Sequence, residues 1–117
     1  MLEEKGKELG RLIGQSPEYQ ALKRSSEALS QDREAVALLQ QMEKLRGEAQ
    51  QLLQRGEDPT PEMEQQLDNM LERIQAQPVY QRAVAAQENF DKLMLRVNEW
   101  MMDGMKKGAA SPIITLS

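Results

Sequence analysis

The chain has 117 residues, a mass of 13.3 kDa and a net charge of −4. That length suits one small domain whose core is completed by a partner chain. The sequence contains no Cys and no His, which excludes a disulfide scaffold, thiolate metal sites and catalysis by either residue type. Acidic and basic residues are interleaved along the chain, whereas nucleic-acid binders concentrate positive charge on one face.

The composition predicts an all-α protein. Aromatic residues make up only 3% of the chain, while Leu, Ala, Glu, Gln, Lys, Arg and Met dominate it, and this mixture favours helices over sheets. No apolar run is long enough to insert in a membrane, and "MLEEKGKELG" lacks the basic start and apolar core of a secretory signal. We therefore expect a cytoplasmic protein.

Three helices are predicted in the first half of the chain. The first, from Leu2 to about Ile13, is weakened by its glycines. The second begins at "SPEYQ", where Ser16 can cap the first turn and Pro17 has a φ suited to it, and it runs to about Leu29. The third is capped by Ser30 or Asp32, ends at Gly56, and carries a coiled-coil-like seam. The seam residues are Ala35, Leu38, Met42, Leu45, Ala49 and Leu52.

Two further helices are predicted after the break at "EDPTPE". Thr60 caps the fourth, which runs to about Ala76 with a buried stripe of Leu67, Met70, Leu71 and Ile74. The fifth begins at "QPVYQ" and runs from Pro78 to about Lys107. Residues 1–108 are thus expected to form one bundle of about five helices, with a flexible tail at 109–117.

The motif Pro-X-Tyr-Gln occurs twice, at residues 17–20 and 78–81. We interpret both copies as helix starts, with proline in the first turn and the tyrosine ring turned toward neighbouring helices. Duplication of a helical hairpin is the alternative. The poor match between the two halves elsewhere favours the first interpretation.

The last helix is apolar over more of its circumference than one neighbouring helix can cover. Its C-terminal end is rich in methionine, whose flexible side chain suits adaptable interfaces. We predict a partner-binding surface of Leu95, Trp100, Met101, Met102 and Met105. We predict self-association, most simply as a homodimer, through Leu38, Met42, Leu45, Leu52, Phe90, Met94 and Val97. The alternative is that this helix is simply the centre of the core.

The sequence shows no reaction centre. Pairs of carboxylates such as Asp68 with Glu72 have the oxygen ligands that hard cations prefer, but a solvated helix face explains them equally well. Serines such as Ser25 have no His to activate them. We expect neither enzyme activity nor a cofactor.

Three stretches in order resemble the YlbF/YmcA family of small bacterial cell-fate and competence regulators. They are the S-P-x-Y start at residues 16–19, the D-x-E-A start at 32–35, and the P-x-Y start at 78–80. The resemblance implies an all-helical, self-associating regulator that binds other proteins, a family paralogue among them. It further implies a role in developmental signalling and in messenger-RNA processing by ribonuclease Y. The iron–sulfur clusters associated with one family complex need cysteine ligands, so this chain cannot ligate one.

The sequence thus favours a non-catalytic regulatory adaptor. Two other classes stay open: a purely structural dimerisation module, and an enzyme or carboxylate–metal protein whose site leaves no motif.

Overall fold

The computed structural model describes residues 1–110, and within them the chain forms five helices and no strand. The all-α prediction is confirmed, and residues 111–117 of the predicted tail lie outside the described part. The last helix includes Ala109 and Ala110, which the sequence had assigned to that tail. The helices are α1 (Leu2–Gly14), α2 (Pro17–Gln31), α3 (Arg33–Gln54), α4 (Pro61–Gln75) and α5 (Pro78–Ala110).

Side-chain caps fix three of the helix starts. Ser16 Oγ accepts the amide of Tyr19 at 3.1 Å, and Thr60 Oγ1 accepts that of Met63 at 3.2 Å. At α3 the cap is Asp32, whose Oδ1 accepts the amide of Ala35 at 2.9 Å, while the Ser30 hydroxyl donates to a carbonyl of its own helix. Each cap satisfies an amide that has no partner within its helix.

Gly56 ends α3 through its backbone conformation. Its φ of 80° is in the left-handed region, which residues with a Cβ rarely adopt. The Glu57 amide donates to Leu52 O at 2.8 Å and the Gly56 amide to Leu53 O at 3.0 Å, the pair of bonds that defines a Schellman motif. The last carbonyls of α3 are thereby satisfied before the chain turns toward α4.

The two Pro-X-Tyr-Gln motifs build the same joint between consecutive helices. Gln20 Nε2 donates to Gly14 O at 2.8 Å, and Gln81 Nε2 donates to Gln75 O at the same distance. In both cases the glutamine reaches back six residues to the end of the preceding helix. The motif is therefore more than a helix start, because its glutamine ties each new helix to the one before it.

Helices α2 and α5 form the most extensive pair and run antiparallel. The Tyr19 and Phe90 ring centroids lie 5.8 Å apart with planes inclined at 58°. Near the start of α2, Ala21 borders the same groove as Leu93, and further along it Ala28 borders Ala86. Beyond Arg96, α5 consequently extends past the start of α2.

The main core lies between α3 and α4. Its buried residues are Ala35, Leu38, Met42 and Ile74, with Leu29, Leu39, Met70, Val79 and Tyr80 packed around them. The predicted buried stripe of α4 is confirmed at Ile74, which is fully buried. Leu67 and Met70, which belong to the same stripe, are half-buried. Leu71 was predicted to be buried but is 37% exposed, because α3 covers only one side of this short helix.

The molecule is elongated, with extents of 66 × 36 × 19 Å and a radius of gyration of 21.6 Å. A compact domain of this length would have a radius of gyration of about 13–14 Å. The helices therefore pack mainly in pairs, and few side chains are buried on all sides.

We expect Ile74→Ala to lower the free energy of unfolding by about 2–5 kcal/mol, since it removes apolar contacts and leaves a cavity in the core. Leu71→Ala on the same helix is the control, because its side chain is partly in solvent in the wild type. Urea denaturation followed by circular dichroism measures both variants. An equal or larger loss for Leu71→Ala would contradict the position of the core.

We expect Gln20→Ala to loosen the joint between α1 and α2, at a cost of about 0.5–1.5 kcal/mol for the lost hydrogen bond. Amide hydrogen exchange in α1 should accelerate, while exchange in α3 should not change. Gln50→Ala, at an exposed position of α3, is the control. Unchanged exchange in α1 would show that this hydrogen bond does not hold the joint.

Candidate protein-binding surface

The buried side of α5 forms one stripe along the helix. Ala86 and Val97 are buried on it, and Phe90 and Leu93 lie between them, half-buried. These residues follow the helical repeat of 100° per residue and face α2. The stripe is therefore the part of α5 that builds the domain.

The same stripe continues beyond Val97, where no other residue of the described range 1–110 buries it. Trp100 and Met101 lie about 50° to either side of its line and Met105 about 90° from it, and the three side chains are 61%, 52% and 70% exposed. Gly104 on the same side has no neighbouring atom within 4 Å of where a Cβ would be. We call Trp100, Met101 and Met105 the terminal stripe. Its side chains are apolar, like those on the side of a helix that faces a core, but they are exposed to solvent.

A second apolar row lies on the side of α5 roughly opposite the buried stripe. It consists of Val84, Leu95 and Met102, which are 38%, 60% and 48% exposed. Asn98 Nδ2 lies 3.8 Å from Met102 Sδ in a weak hydrogen bond at the surface. We call these three residues the flanking stripe. The five residues predicted to bind a partner all lie on the C-terminal half of α5, but they divide between the two stripes.

The seven residues predicted for self-association are placed differently. Leu38, Met42 and Val97 are 4–5% exposed and pack within the single chain, so the protomer itself accounts for their apolar character. Leu45, Leu52 and Phe90 are half-buried, and Met94 is 38% exposed beside the terminal stripe. The α3 seam was predicted to meet a second copy, but at Leu38 and Met42 it packs on α4 because the α3–α4 hairpin folds back on itself.

Helix α1 carries an apolar side that is only partly covered, since Leu9 and Ile13 are half-buried on it, and that was not predicted as part of a binding surface. None of its residues is buried, and Leu2 and Leu12 are 90% and 56% exposed. Leu2, Leu9, Leu12 and Ile13 nevertheless share one side of the helix. The spacing of these apolar residues indicates the face in the sequence, but the three glycines of α1 weaken the helical pattern there.

Acidic side chains are dispersed over the described part of the chain. No group of three or more acidic side chains lies close enough to hold a metal ion within residues 1–110. The grooves beside α2 and between α3 and α4 are shallow and bordered by solvated side chains such as Lys92, Arg96 and Arg73. What distinguishes the surface is uncovered apolar area.

Comparison with known proteins identifies the family. Residues 2–106 match the family described as control of competence regulator ComK, YlbF/YmcA. The chain belongs to this family. The resemblance drawn from the three helix starts is thus confirmed, and the YlbF/YmcA family is a family of regulators rather than of known enzymes.

Two streptococcal proteins are similar to much of this chain. A UPF0342 protein of Streptococcus gordonii is 38% identical over 72 residues, which cover 62% of this chain and 64% of that protein. A UPF0342 protein of Streptococcus mutans is 33% identical over 81 residues, covering 69% and 72%. The match to the first thus spans a little under two thirds of the relative's length.

One solved structure has the same fold as this chain. It is titled a protein of unknown function (DUF964) from Bacillus stearothermophilus, and it superposes with a TM-score of 0.65 over 95% of this chain and 97% of that chain. The two sequences are 19% identical, so the likeness concerns the fold alone. The helical architecture of this YlbF/YmcA chain therefore recurs in a distant sequence. Among residues 1–110, none of the five helices has an apolar stretch that could span a bilayer.

Proposed function

We propose that this chain is a non-catalytic regulatory adaptor of the YlbF/YmcA family that acts by binding other proteins in the cytoplasm. The observation that carries the proposal is the uncovered apolar surface on the C-terminal half of α5. Exposed Trp and Met side chains offer large contact area, and Trp is enriched among the residues that dominate binding energy. Membership of a regulator family supports the same class of function.

The two stripes suit two kinds of partner. The terminal stripe continues the side of α5 that builds the domain, so we assign it to self-association, most simply in a homodimer. The flanking stripe points away from that side, and we assign Leu95 and Met102 to a heterologous protein or a family paralogue. This division changes the expected role of Trp100, Met101 and Met105, which would meet a second copy instead of a different protein.

The pathway we propose is the one that the family suggests: developmental signalling and messenger-RNA processing by ribonuclease Y. In that role the adaptor would contact the ribonuclease or another member of its complex directly. The purely structural module is the second candidate, because the terminal stripe by itself would only join two copies.

We expect the wild-type chain to sediment as a dimer at micromolar concentration and Met101→Glu to sediment as a folded monomer. A buried carboxylate would oppose association, while position 101 is exposed in the protomer. As the one tryptophan of the chain, Trp100 should shift its emission to shorter wavelengths as wild-type protein associates. Ala85→Glu, at an exposed site on another side of α5, is the control. A monomeric wild type would refute self-association.

We expect Met102→Glu to weaken binding to purified ribonuclease Y of the same organism by about tenfold or more, the effect of losing about 1.4 kcal/mol at an interface anchor. The dimer and the thermal melt should be unchanged, since Met102 is not part of the core. Surface plasmon resonance measures the affinity, again with Ala85→Glu as control. Dimerisation without any binding by the wild type would support the structural module over the adaptor.

A further inference from the structure

Four methionines share one side of the C-terminal half of α5, within about 100° of one another around the helix axis. They are Met94, Met101, Met102 and Met105. Each is more than one third exposed, whereas Met42 is 5% exposed and Met63 and Met70 are half-buried. Apart from Met1, the exposed methionines of residues 1–110 are therefore concentrated on the half of α5 that carries the two stripes.

Exposed thioethers are the side chains of this protein that a peroxide oxidises most readily. Cysteine thiolates would react first, but the chain has none. A sulfur lone pair attacks one oxygen of the peroxide, so that an S–O bond forms while the O–O bond breaks. The other oxygen takes the proton of the transferred one and leaves as water or an alcohol. Sulfur supplies the two electrons that reduce the peroxide, and the apolar thioether becomes a polar sulfoxide.

Within the described chain, Met102 differs from the other three because a hydrogen-bond donor lies at its sulfur. Asn98 Nδ2 donates to Met102 Sδ at 3.8 Å. The helix itself provides this contact, since its side chains point toward the N-terminus and residues four apart are neighbours. An N–H···O bond is shorter, about 2.9 Å between the heavy atoms. An oxygen added to the sulfur on the side of Asn98 would lie within this gap, and the same donor would bind it more strongly than it binds the thioether.

We propose that Met102 is a reversible oxidation site whose sulfoxide is held by Asn98. Oxidation places a polar oxygen in the flanking stripe, and the hydrogen bond keeps the side chain against its own helix. Both effects oppose insertion of Met102 into an apolar pocket of another protein. A methionine sulfoxide reductase restores the thioether, with two electrons from a thiol reductant, and the oxygen leaves as water. Release of a partner rests on the proposed function of the flanking stripe, whereas the chemistry at Met102 does not.

Peptide mapping and NMR test the chemistry in the full chain. Protein labelled with heavy nitrogen is treated with dilute hydrogen peroxide, and samples are digested and mapped by mass spectrometry over time. We expect sulfoxide at Met102 while Met42 stays reduced, because Met42 is buried. The side-chain amide signal of Asn98 should move to higher proton frequency as Met102 is oxidised. Met102→Leu is the control of similar volume, in which the other methionines still react and this movement should be much smaller.

Partly oxidised wild-type protein tests the effect on binding, because its molecules carry different patterns of sulfoxides. The mixture is passed over immobilised ribonuclease Y of the same organism, and the retained and unretained fractions are mapped. Sulfoxide at Met102 should be enriched in the unretained fraction, since we expect it to lower the affinity about tenfold. Sulfoxide at Met1, which is 96% exposed and precedes α1, is the internal control and should divide equally. Reductase with a thiol should return the unretained molecules to the retained fraction.

Three results would overturn the proposal. Met102 that stays reduced while Met105 is oxidised would mean that Asn98 protects the sulfur. An Asn98 signal that responds equally in the wild type and in Met102→Leu would mean that Asn98 does not hold the sulfoxide. Equal division of the Met102 sulfoxide between the fractions would refute control of binding while the proposed function stands. If the untreated protein is not retained at all, the proposed function fails, and the first two results still decide the site.

Discussion

The difference in length between α2 and α5 is the constraint on which the rest of the structure depends. Helix α2 has 15 residues and α5 has 33, and the two pack antiparallel from the start of α5. Roughly half of α5 is therefore covered and half is not. The same apolar periodicity runs through both halves, so the covered half stabilises the domain and the other half presents an equivalent surface to solvent.

A thin molecule cannot gain much stability from its interior. Only Ile74 is both large and fully buried among the described residues, and the main core consists of four side chains between two hairpin helices. The helix caps, the Schellman motif and the glutamine joints are consequently important in determining where the helices begin and end and how they are connected. A protein built in this way gains stability when a partner covers its exposed apolar side chains, because a ligand that binds only the native state stabilises it.

The helix starts could be predicted from the sequence because capping depends on a few neighbouring residues. Two helix starts were predicted correctly from a capping residue followed by proline, at Ser16–Pro17 and at Thr60–Pro61. At the start of α3 the sequence offered Ser30 or Asp32 as the cap, and the choice depended on which side chain faces the free amide of Ala35. The family followed from the order of these starts. Which apolar residues meet another helix of the same chain is a matter of tertiary packing. Leu38 and Met42 have the same seam-like spacing whether α4 or a second copy covers them, so the sequence alone could not decide.

The glutamine joints are a second feature that could not be predicted fully from the sequence. The repeat of Pro-X-Tyr-Gln was visible in the sequence, and the roles of proline and tyrosine followed from their chemistry. The role of glutamine did not, because its acceptor lies six residues earlier and comes within reach only when the chain turns at the joint.

The elongated shape also affects how the size of this protein should be measured in solution. A radius of gyration of 21.6 Å is that of a compact domain of about 400 residues, although the chain has 117. A gel-filtration column calibrated with globular standards separates by hydrodynamic size, so a single copy would elute with the volume of a larger protein. Its apparent mass would therefore suggest an oligomer even in the absence of one. Methods that report mass independently of shape, such as static light scattering, do not carry this bias.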